Sequence, residues 1–408
     1  MSVITVFNGI FCMEDSVVRE TLDRTDSRLI TDKKLVAEAS KLSGMAESKI
    51  AQAFSTKTSV FNKFTHERER SVALLRLVLA ETLCSDNVII FGFAAHLIPR
   101  EITHVLRVCL IADMKFRLSV ANKERGLSEK EAGKLIHRHD EDCAAWVKTL
   151  FFKNDPWSSS FYDIVIPMNK KSSQEAATLI DENASREVLQ VTEGSKKAVE
   201  DFLLAARVEV ALAKEGHNVN VSARNGSITL TINKHVLMLH RLEEELKSIA
   251  DKVEGVTSVK TEVGKDYYQT DIYRKYDFDM PSKVLLVDDE REFVQTLSER
   301  LLMRQMGSAV AYDGESALHL VKEDEPEVMI LDLKMPGIDG MEVLRRVKET
   351  RPEIEVIILT GHGSDVDREV CMKLGAFAYL QKPVDIDVLS DTLKRANEKI
   401  QEKKNGKR

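Results

Sequence analysis

The segment 328–340, VMILDLKMPGIDG, constrains the fold of this chain more than any other segment. It begins with four consecutive apolar residues, a pattern typical of a strand that is buried on both faces of a parallel sheet. Asp332 follows these residues directly. Because ligands bind outside the carboxyl ends of the strands in such sheets, the segment predicts an α/β domain with a carboxylate at its binding edge.

Acidic and polar residues also follow other apolar runs in the same third of the chain. One run ends at Asp288 and Asp289, another ends at Thr360, and a further run is followed by Lys382. Neighbouring carboxylates raise one another's pKa unless a cation neutralises them, and oxygen ligands of this kind suit Mg²⁺. Acids, a hydroxyl and a lysine at one sheet edge are the groups that a phosphoryl-accepting carboxylate needs.

The order and spacing of these motifs resemble the receiver domain of two-component response regulators: an acidic pair, D-x-K-M-P-G-x-D-G, L-T-G-H-G and Y-L-Q-K-P. The resemblance implies a flavodoxin-like (βα)5 fold over residues 281–402, with Asp332 as the phosphoacceptor. It further implies that Lys382 pairs with the phosphate, that Thr360 donates its hydroxyl to it, and that Tyr379 turns inward on activation. The Mg²⁺ ligands that it implies are Asp288, Asp289, Asp332 and the main-chain carbonyl of Lys334.

Apolar runs alternate with helical patterns in residues 1–185 as well. Runs beginning at Val3, Asn87, Val105 and Tyr162 predict four strands of a parallel sheet that is covered by helices on both faces. The segment 125–148 and the strand after it are similar to the lid region of cytidylate-kinase-like P-loop nucleoside monophosphate kinases. This resemblance implies a P-loop-kinase-like fold for residues 1–185.

The stretch that corresponds to the phosphate loop of those kinases, residues 7–16, departs from their pattern. It contains one glycine, Gly9, and no lysine, whereas a phosphate cradle needs glycines whose N–H groups surround the anion. Glu14 and Asp15 stand where phosphates would bind and would repel them. We therefore expect a degenerate domain without kinase activity, in which the weak anion-binding candidates are Arg117, Arg125 and Arg138. The alternative is an active nucleoside monophosphate kinase regulated by the receiver.

A cluster of metal-binding residue types lies in the lid segment at positions 137, 139, 140, 142 and 143. Only His139 and Cys143 in this cluster have the i, i+4 spacing that places two ligand side chains together on a helix. We therefore interpret the segment as a solvated lid helix, and a metal site is the alternative.

The middle segment, residues 193–265, has the pattern helix, hairpin, helix, strand, with the turn pair Asn225-Gly226 in the hairpin. It resembles the BON domain, a small α+β module linked with membrane-surface or protein contacts. A spacer between two domains is the simpler alternative. Residues 264–282 predict a linker that contains tyrosines at positions 267, 268, 273 and 276. We expect these tyrosines to dock on neighbouring domains, and stacking on a base is the alternative.

Composition limits the setting and the partners. The net charge of −7 and the lack of a helix-turn-helix after the receiver argue against nucleic acid as a partner. Five cysteines without a CxxC spacing, no long apolar stretch and no secretory leader favour the cytoplasm and no membrane insertion. We predict a response regulator that is phosphorylated by a sensor histidine kinase or phosphotransfer protein. Its output would pass through the N-terminal region or a protein partner; a structural scaffold is a further alternative.

Overall fold

The computed structural model describes residues 3–56, 62, 66–84, 87–234, 236, 239–265, 267, 281, 283–303, 306–361 and 363–405. The chain divides into two compact units, of which the first contains residues 1–58 and 67–273 and the second contains 59–66 and 274–408. Across the described ranges, no helix has both the length and the apolar character needed to cross a membrane.

The first unit contains a sheet of five parallel strands in the order β2-β3-β1-β4-β5. These strands are β1 (Val3–Asn8), β2 (Arg28–Thr31), β3 (Val88–Phe91), β4 (Val105–Ile111) and β5 (Ile164–Pro167). The parallel sheet and four of its strands were predicted. The edge strand β2 was not, because Ile30 is its only buried residue and the sequence therefore lacks an apolar run there.

The described residues form seven α-helices around this sheet: α1 (Glu14–Thr25), α2 (Asp32–Ser43), α3 (Glu47–Ala51), α4 (Glu67–Leu83), α5 (Met114–Arg125), α6 (Glu129–Phe151) and α7 (Ser173–Ala184). Alternate residues of β1 face opposite sides of the sheet. On one face, Ile4 and Val6 share a core with residues of α1 and α7, which cover that face. The predicted lid helix, α6, starts with a capping box between Ser128 and Glu131.

The first unit also contains a three-stranded sheet with two helices: α8 (Glu193–Lys214), β6 (Asn220–Arg224), β7 (Ser227–Ile232), α9 (Leu239–Ala250) and β8 (Ser258–Val263). The predicted hairpin is present, since β6 and β7 are antiparallel around Asn225 and Gly226, both at positive φ. Strand β8 pairs with β7 in parallel. The likeness to the BON domain stays a prediction. Tyr267 is buried in this core, and tyrosines 268, 273 and 276 lie outside the described residues.

The second unit is a parallel α/β domain with the strand order β10-β9-β11-β12-β13. This is the flavodoxin-like order that was expected. Its strands are β9 (Val284–Val287), β10 (Ser308–Ala311), β11 (Val328–Leu331), β12 (Glu355–Thr360) and β13 (Ala378–Gln381). Its helices are α10 (Arg291–Met303), α11 (Gly314–Asp324), α12 (Gly340–Thr350), α13 (Asp365–Lys373) and α14 (Ile386–Asn405). Strands β9, β11 and β12 are buried along their whole length, as their apolar runs predict.

Candidate functional site

Three carboxylates meet at the carboxyl edge of the second sheet. Strands β9 and β11 are adjacent and parallel with Val287 opposite Leu331, so the residues that follow, Asp288 and Asp332, come side by side. Together with Asp289 they bring carboxylate oxygens within 4.8 Å of one another. Asp288 and Asp332 are buried and Asp289 is exposed. The parallel sheet thus assembles the acidic cluster predicted from the sequence.

Lys382 follows β13 and places its ammonium among these acids. Its Nζ lies 2.6 Å from Asp288 Oδ2, 3.2 Å from Asp332 Oδ2 and 3.3 Å from Glu290 Oε1. Burial alone would lower the pKa of Lys382, but the hydrogen bond and negative charge of Asp288, with Asp332, raise it above its usual value. The ammonium therefore stays charged and offsets part of the negative charge of the cluster.

The two oxygens of the Asp332 carboxylate have different partners. Oδ1 accepts hydrogen bonds from the backbone N–H of Leu333, at 2.6 Å, and of Lys334, at 3.4 Å, whereas Oδ2 contacts Lys382. Burial, with the nearby charge of Asp332, raises the pKa of Asp288 despite the contact with Lys382. The buried carboxylates of Asp288 and Asp332 therefore repel each other, and binding of a cation between them would relieve this repulsion.

The loop that carries Asp332 requires a glycine at its far end. Gly340 donates its N–H to the carbonyl of Leu333 at 2.9 Å. A Cβ at position 340 would collide with the carbonyl oxygen of Asp332. The side chain of Asp339 caps the following helix by accepting from the N–H of Glu342 at 2.8 Å. The last two residues of the D-x-K-M-P-G-x-D-G motif thus fold the loop back beneath the carboxylate.

Thr360 and Tyr379 lie on the neighbouring strands β12 and β13. Thr360 is fully buried where β12 ends. Tyr379 pairs with Ile358, and among the described residues its buried hydroxyl has no hydrogen-bond partner. A Cβ on Gly363 would collide with that hydroxyl, so the ring lies directly against the backbone of the loop after β12. His362, in the same motif, lies outside the described residues.

Comparison with known families agrees with this arrangement. Residues 284–394 match the model of the response regulator receiver domain. The C-terminal segment is a response regulator receiver domain. Residues 9–170 match the model of the cytidylate kinase-like family.

Known response regulators and receiver domain structures match a quarter to a third of this chain. The transcriptional regulatory protein CpxR of Escherichia coli K12 is 40% identical over 105 residues, which cover 25% of this chain and 43% of that protein. The C4-dicarboxylate transport transcriptional regulatory protein DctD of Pseudomonas aeruginosa is 39% identical over 122 residues, which cover 30% of this chain and 26% of that protein. A receiver domain structure from Clostridium thermocellum is 36% identical, covers 29% of this chain and 96% of that one, and has a TM-score of 0.28. The chain thus spans less than half of these curated relatives.

In the first unit, the loop after β1 binds its own carboxylate. Glu14 accepts hydrogen bonds from the backbone N–H of Phe11, at 3.1 Å, and of Cys12, at 2.7 Å. Phe11 and Met13 have positive φ, a conformation that non-glycine residues adopt rarely. Burial raises the pKa of Glu14. The N–H groups that would hold a phosphate in a kinase are therefore already paired with Glu14, in line with the prediction that the cradle is lost.

The three arginines suggested as anion sites have different surroundings. Arg117 is buried and makes a two-fold contact with Asp140, at 2.8 Å for each hydrogen bond. Its Nε also donates to the carbonyl of Ile10 at 2.8 Å. Arg125 lies 5.1 Å from the ring centre of Phe11, and Arg138 is exposed. Arg117 is thus already paired with a carboxylate.

A second internal carboxylate was not predicted from the sequence. Asp32, just after the unpredicted strand β2, accepts hydrogen bonds from the N–H groups of Phe93, at 2.7 Å, and Ala94, at 3.0 Å. Burial raises the pKa of Asp32 to about 6. Gly92 has a φ of 122°, and a Cβ there would collide with the Asp32 carboxylate. The position of Asp32 beside residues 92–94 follows from the pairing of β2 with β3, so it could be predicted only if β2 were recognised as a strand in the sequence.

The metal-binding residue types of the lid helix make separate contacts. Asp140 binds Arg117, Asp142 accepts from the N–H of Thr56 at 2.7 Å, and His137 lies 3.1 Å from Glu141. His139 and Cys143 are 3.5 Å apart. Within the described ranges, the receiver acids form the only cluster of three potential metal ligands. The metal alternative for the lid gains no support.

Proposed function

We propose that this chain is a two-component response regulator that accepts a phosphoryl group on Asp332 from a sensor histidine kinase or phosphotransfer protein. The observation that supports this proposal best is the buried Asp332 carboxylate, which contacts the Lys382 ammonium that also pairs with Asp288. We further propose that the signal passes through the kinase-like and BON-like regions, residues 1–185 and 193–265, or through a partner protein. The receiver itself would span residues 281–402.

In this proposal an oxygen of Asp332 attacks the phosphorus atom of a phosphohistidine. Oδ2 is better placed than Oδ1, because Oδ1 accepts two backbone hydrogen bonds. A P–O bond forms as the P–N bond breaks, and the partner's imidazole leaves with the bonding electron pair. Later attack by water on the phosphorus releases inorganic phosphate and restores the carboxylate. Lys382 pairs with the incoming phosphoryl oxygens, whose charge its ammonium offsets.

The residues at this edge fit a magnesium ion. Lys382 contacts Asp288, Asp332 and Glu290, and Asp289 adds a further carboxylate to the cluster. The cluster therefore keeps a surplus of negative charge and offers the oxygen ligands that Mg²⁺ prefers. Asp288, Asp289, Asp332 and the main-chain carbonyl of Lys334 would hold the ion. Bound there, Mg²⁺ would neutralise charge on the acceptor and on the phosphoryl group.

Thr360 and Tyr379 are the proposed switch. The Thr360 hydroxyl would donate to the phosphoryl group and draw the loop after β12 towards it. Because the Tyr379 hydroxyl lies against Gly363 of that loop, movement of the loop changes the space available to the ring. Such coupling requires two discrete arrangements of the loop, whose populations phosphorylation shifts.

The loop after β1 argues against the alternative of an active nucleoside monophosphate kinase. The N–H groups of Phe11 and Cys12 are bound to Glu14, and no lysine stands in the loop. Loss of a preorganised anion site removes transition-state stabilisation, and each 1.4 kcal/mol lost is about a tenfold loss in rate. We therefore propose that residues 1–185 keep the fold without the phosphoryl-transfer activity.

A labelling experiment tests the proposal. The full-length chain is incubated with acetyl phosphate and Mg²⁺, and the added phosphoryl mass is measured on the intact protein. Asp332→Asn is expected to remove the label, and Asp289→Ala is expected to remove its Mg²⁺ dependence. Asp391→Asn, an exposed acid on α14, is the matched control and should label as the wild type does. Full labelling of Asp332→Asn would refute the proposal.

A further inference from the structure

The first unit contains a cavity of about 940 Å³ that the proposed function does not use. It lies between the sheet face that carries Thr5 and Arg107 and the surface formed by α8 and β6. No residue of the loop 9–16 lines it, so it is distinct from the degenerate phosphate site. Its volume falls within the range of small-molecule sites, which is roughly 300 to 1,000 Å³.

Arg107 gives this cavity a buried cation. Only 8% of its surface is exposed, and its guanidinium donates to the carbonyls of Val105, at 3.3 Å, and Pro99, at 2.8 Å. In the part of the chain that the structure describes, Arg107 forms no ion pair, since Asp163 pairs with Arg100 instead. A buried charge that no carboxylate contacts directly is costly, and an anionic ligand would reduce that cost.

The charge on Arg107 persists at neutral pH. Burial, with the positive charge of Arg100, lowers the pKa of Arg107 to about 10, and the negative charges of Asp163 and Glu101 offset this only in part. The guanidinium thus remains protonated in the pH range of a cell.

Aromatic rings form another wall of the same cavity. His96, Phe151, Phe161 and Tyr162 all line it, with ring centres 5.7 Å apart for His96 and Tyr162 and 4.9 Å apart for Phe151 and Phe161. Burial lowers the pKa of His96 to about 3, so its ring is neutral at physiological pH. The wall is therefore aromatic and uncharged, which suits edge or face contact with a planar ring.

Phe152 lines the cavity from an unusual position. The residue is 89% exposed, and its backbone is left-handed, with a φ of 56°, at the position that follows helix α6. A phenylalanine at positive φ is a rare conformation. Covering such a ring with the apolar face of a ligand removes much of its surface from water, which is favourable.

We propose that this cavity binds a small organic anion that carries a planar ring, with the anionic group on Arg107 and the ring against the aromatic wall and Phe152. Nucleoside phosphates and aromatic carboxylates share this chemistry. The cavity volume exceeds what a single-ring acid needs, and this favours a nucleoside phosphate.

Calorimetric titration of the full-length chain tests the proposal with AMP, ATP, adenosine, benzoate and inorganic phosphate as probes. AMP or ATP is expected to bind, and adenosine and inorganic phosphate are each expected to bind at least about tenfold more weakly, because each lacks one of the two groups. Benzoate binding as tightly as AMP would assign the site to aromatic carboxylates and leave the ring-and-anion chemistry intact.

Variants locate the binding. Phe152→Ala, which removes an exposed ring, is expected to weaken the best probe by about threefold to tenfold. Arg107→Gln is expected to weaken it by at least about tenfold. Arg19→Gln, an exposed arginine of helix α1 that does not line the cavity, is the matched control. If circular dichroism shows that Arg107→Gln does not fold, Phe152→Ala decides alone.

Two results would overturn the proposal: no binding by any compound that joins a ring to an anion, or unchanged affinity in Phe152→Ala.

Discussion

Replacing Lys382 with methionine removes the positive charge from the acidic cluster. The side chain of Lys382 is 10% exposed, and those of Asp288 and Asp332 are 6% and 7% exposed, so solvent screens the contacts little. Removing one partner of a buried ion pair costs about 3 to 5 kcal/mol. Protonation of Asp288, whose pKa is already raised, relieves part of the repulsion. We expect a loss of about 2 to 4 kcal/mol in the local stability of the receiver at neutral pH.

The pH dependence of this loss has a definite sign. Without Lys382, the pKa of Asp288 in the folded state rises further above its unfolded value. A group with a raised folded pKa favours the folded state below its unfolded pKa, and that stability is lost as the pH rises through the folded pKa. The stability deficit of Lys382→Met should therefore shrink as the pH falls from neutral towards the ordinary carboxyl range.

Magnesium should act in the opposite sense to the mutation. If the ion binds the three carboxylates, millimolar Mg²⁺ should stabilise Lys382→Met more than the wild type, because the variant has no competing ammonium. Hydrogen exchange of peptides from residues 284–394 in the full-length chain measures both effects. Lys373→Met, an exposed lysine on α13, is the control. Equal protection of Lys382→Met and wild type at neutral pH without Mg²⁺ would refute the reasoning.

Three further predictions concern other carboxylates and the switch. Glu14→Gly should free the N–H groups of Phe11 and Cys12 and create measurable sulfate binding by titration, whereas the exposed control Asp23→Asn should not. Absence of sulfate binding in Glu14→Gly would contradict the reasoning that Glu14 occupies an anion-binding loop. Burial would raise the pKa of Glu355, but hydrogen bonds from lysines lower it below its usual value. The ionised carboxylate therefore stabilises the receiver at a pH above its unfolded pKa. That contribution is lost as the pH falls through the lower pKa of the folded state. The lysines near the Glu355 carboxylate are Lys399, at 3.0 Å, Lys403, at 2.7 Å, and Lys348, at 3.9 Å. Glu355→Gln should therefore lower the stability of the receiver by about 1 to 3 kcal/mol at neutral pH, as measured by hydrogen exchange. It should also make that stability depend less on pH in the acid range. Thr360→Ala should accept phosphate yet lose the phosphorylation-dependent change in hydrogen exchange around Tyr379, and an unchanged response would exclude this switch.

The receiver could be predicted far into its details because its fold and site depend on short, contiguous patterns. Strands buried on both faces, such as β11, appear in the sequence as apolar runs, and in a parallel sheet the residues that follow them must share one edge. The position of Asp288 beside Asp332 therefore follows from the order of the strands in the sheet. The contact of Glu290 with Lys382 was not foreseen, because it depends on the path of the loop after β9.

The first unit shows where the sequence is insufficient. Strand β2 has one buried residue, so neither the strand nor the position of Asp32 beside Gly92 could be inferred. Repulsion of phosphate by Glu14 was predicted, but its hydrogen bonds depend on the positive φ of Phe11, which no side-chain pattern reveals. Arg117 was named as a weak anion-binding candidate, and its contact with Asp140 was not foreseen because Asp140 lies on a different helix.

The most direct test of phosphorylation at Asp332 is the chemical identity of the modified residue. Borohydride reduction of an aspartyl phosphate converts that residue to homoserine, which peptide mass spectrometry can locate. After treatment of the full-length chain with acetyl phosphate and Mg²⁺, homoserine is expected at position 332 and absent from positions 288 and 289. Homoserine at either of those positions, or none in a protein that carries the phosphoryl mass, would contradict the assignment of Asp332 as the phosphoacceptor.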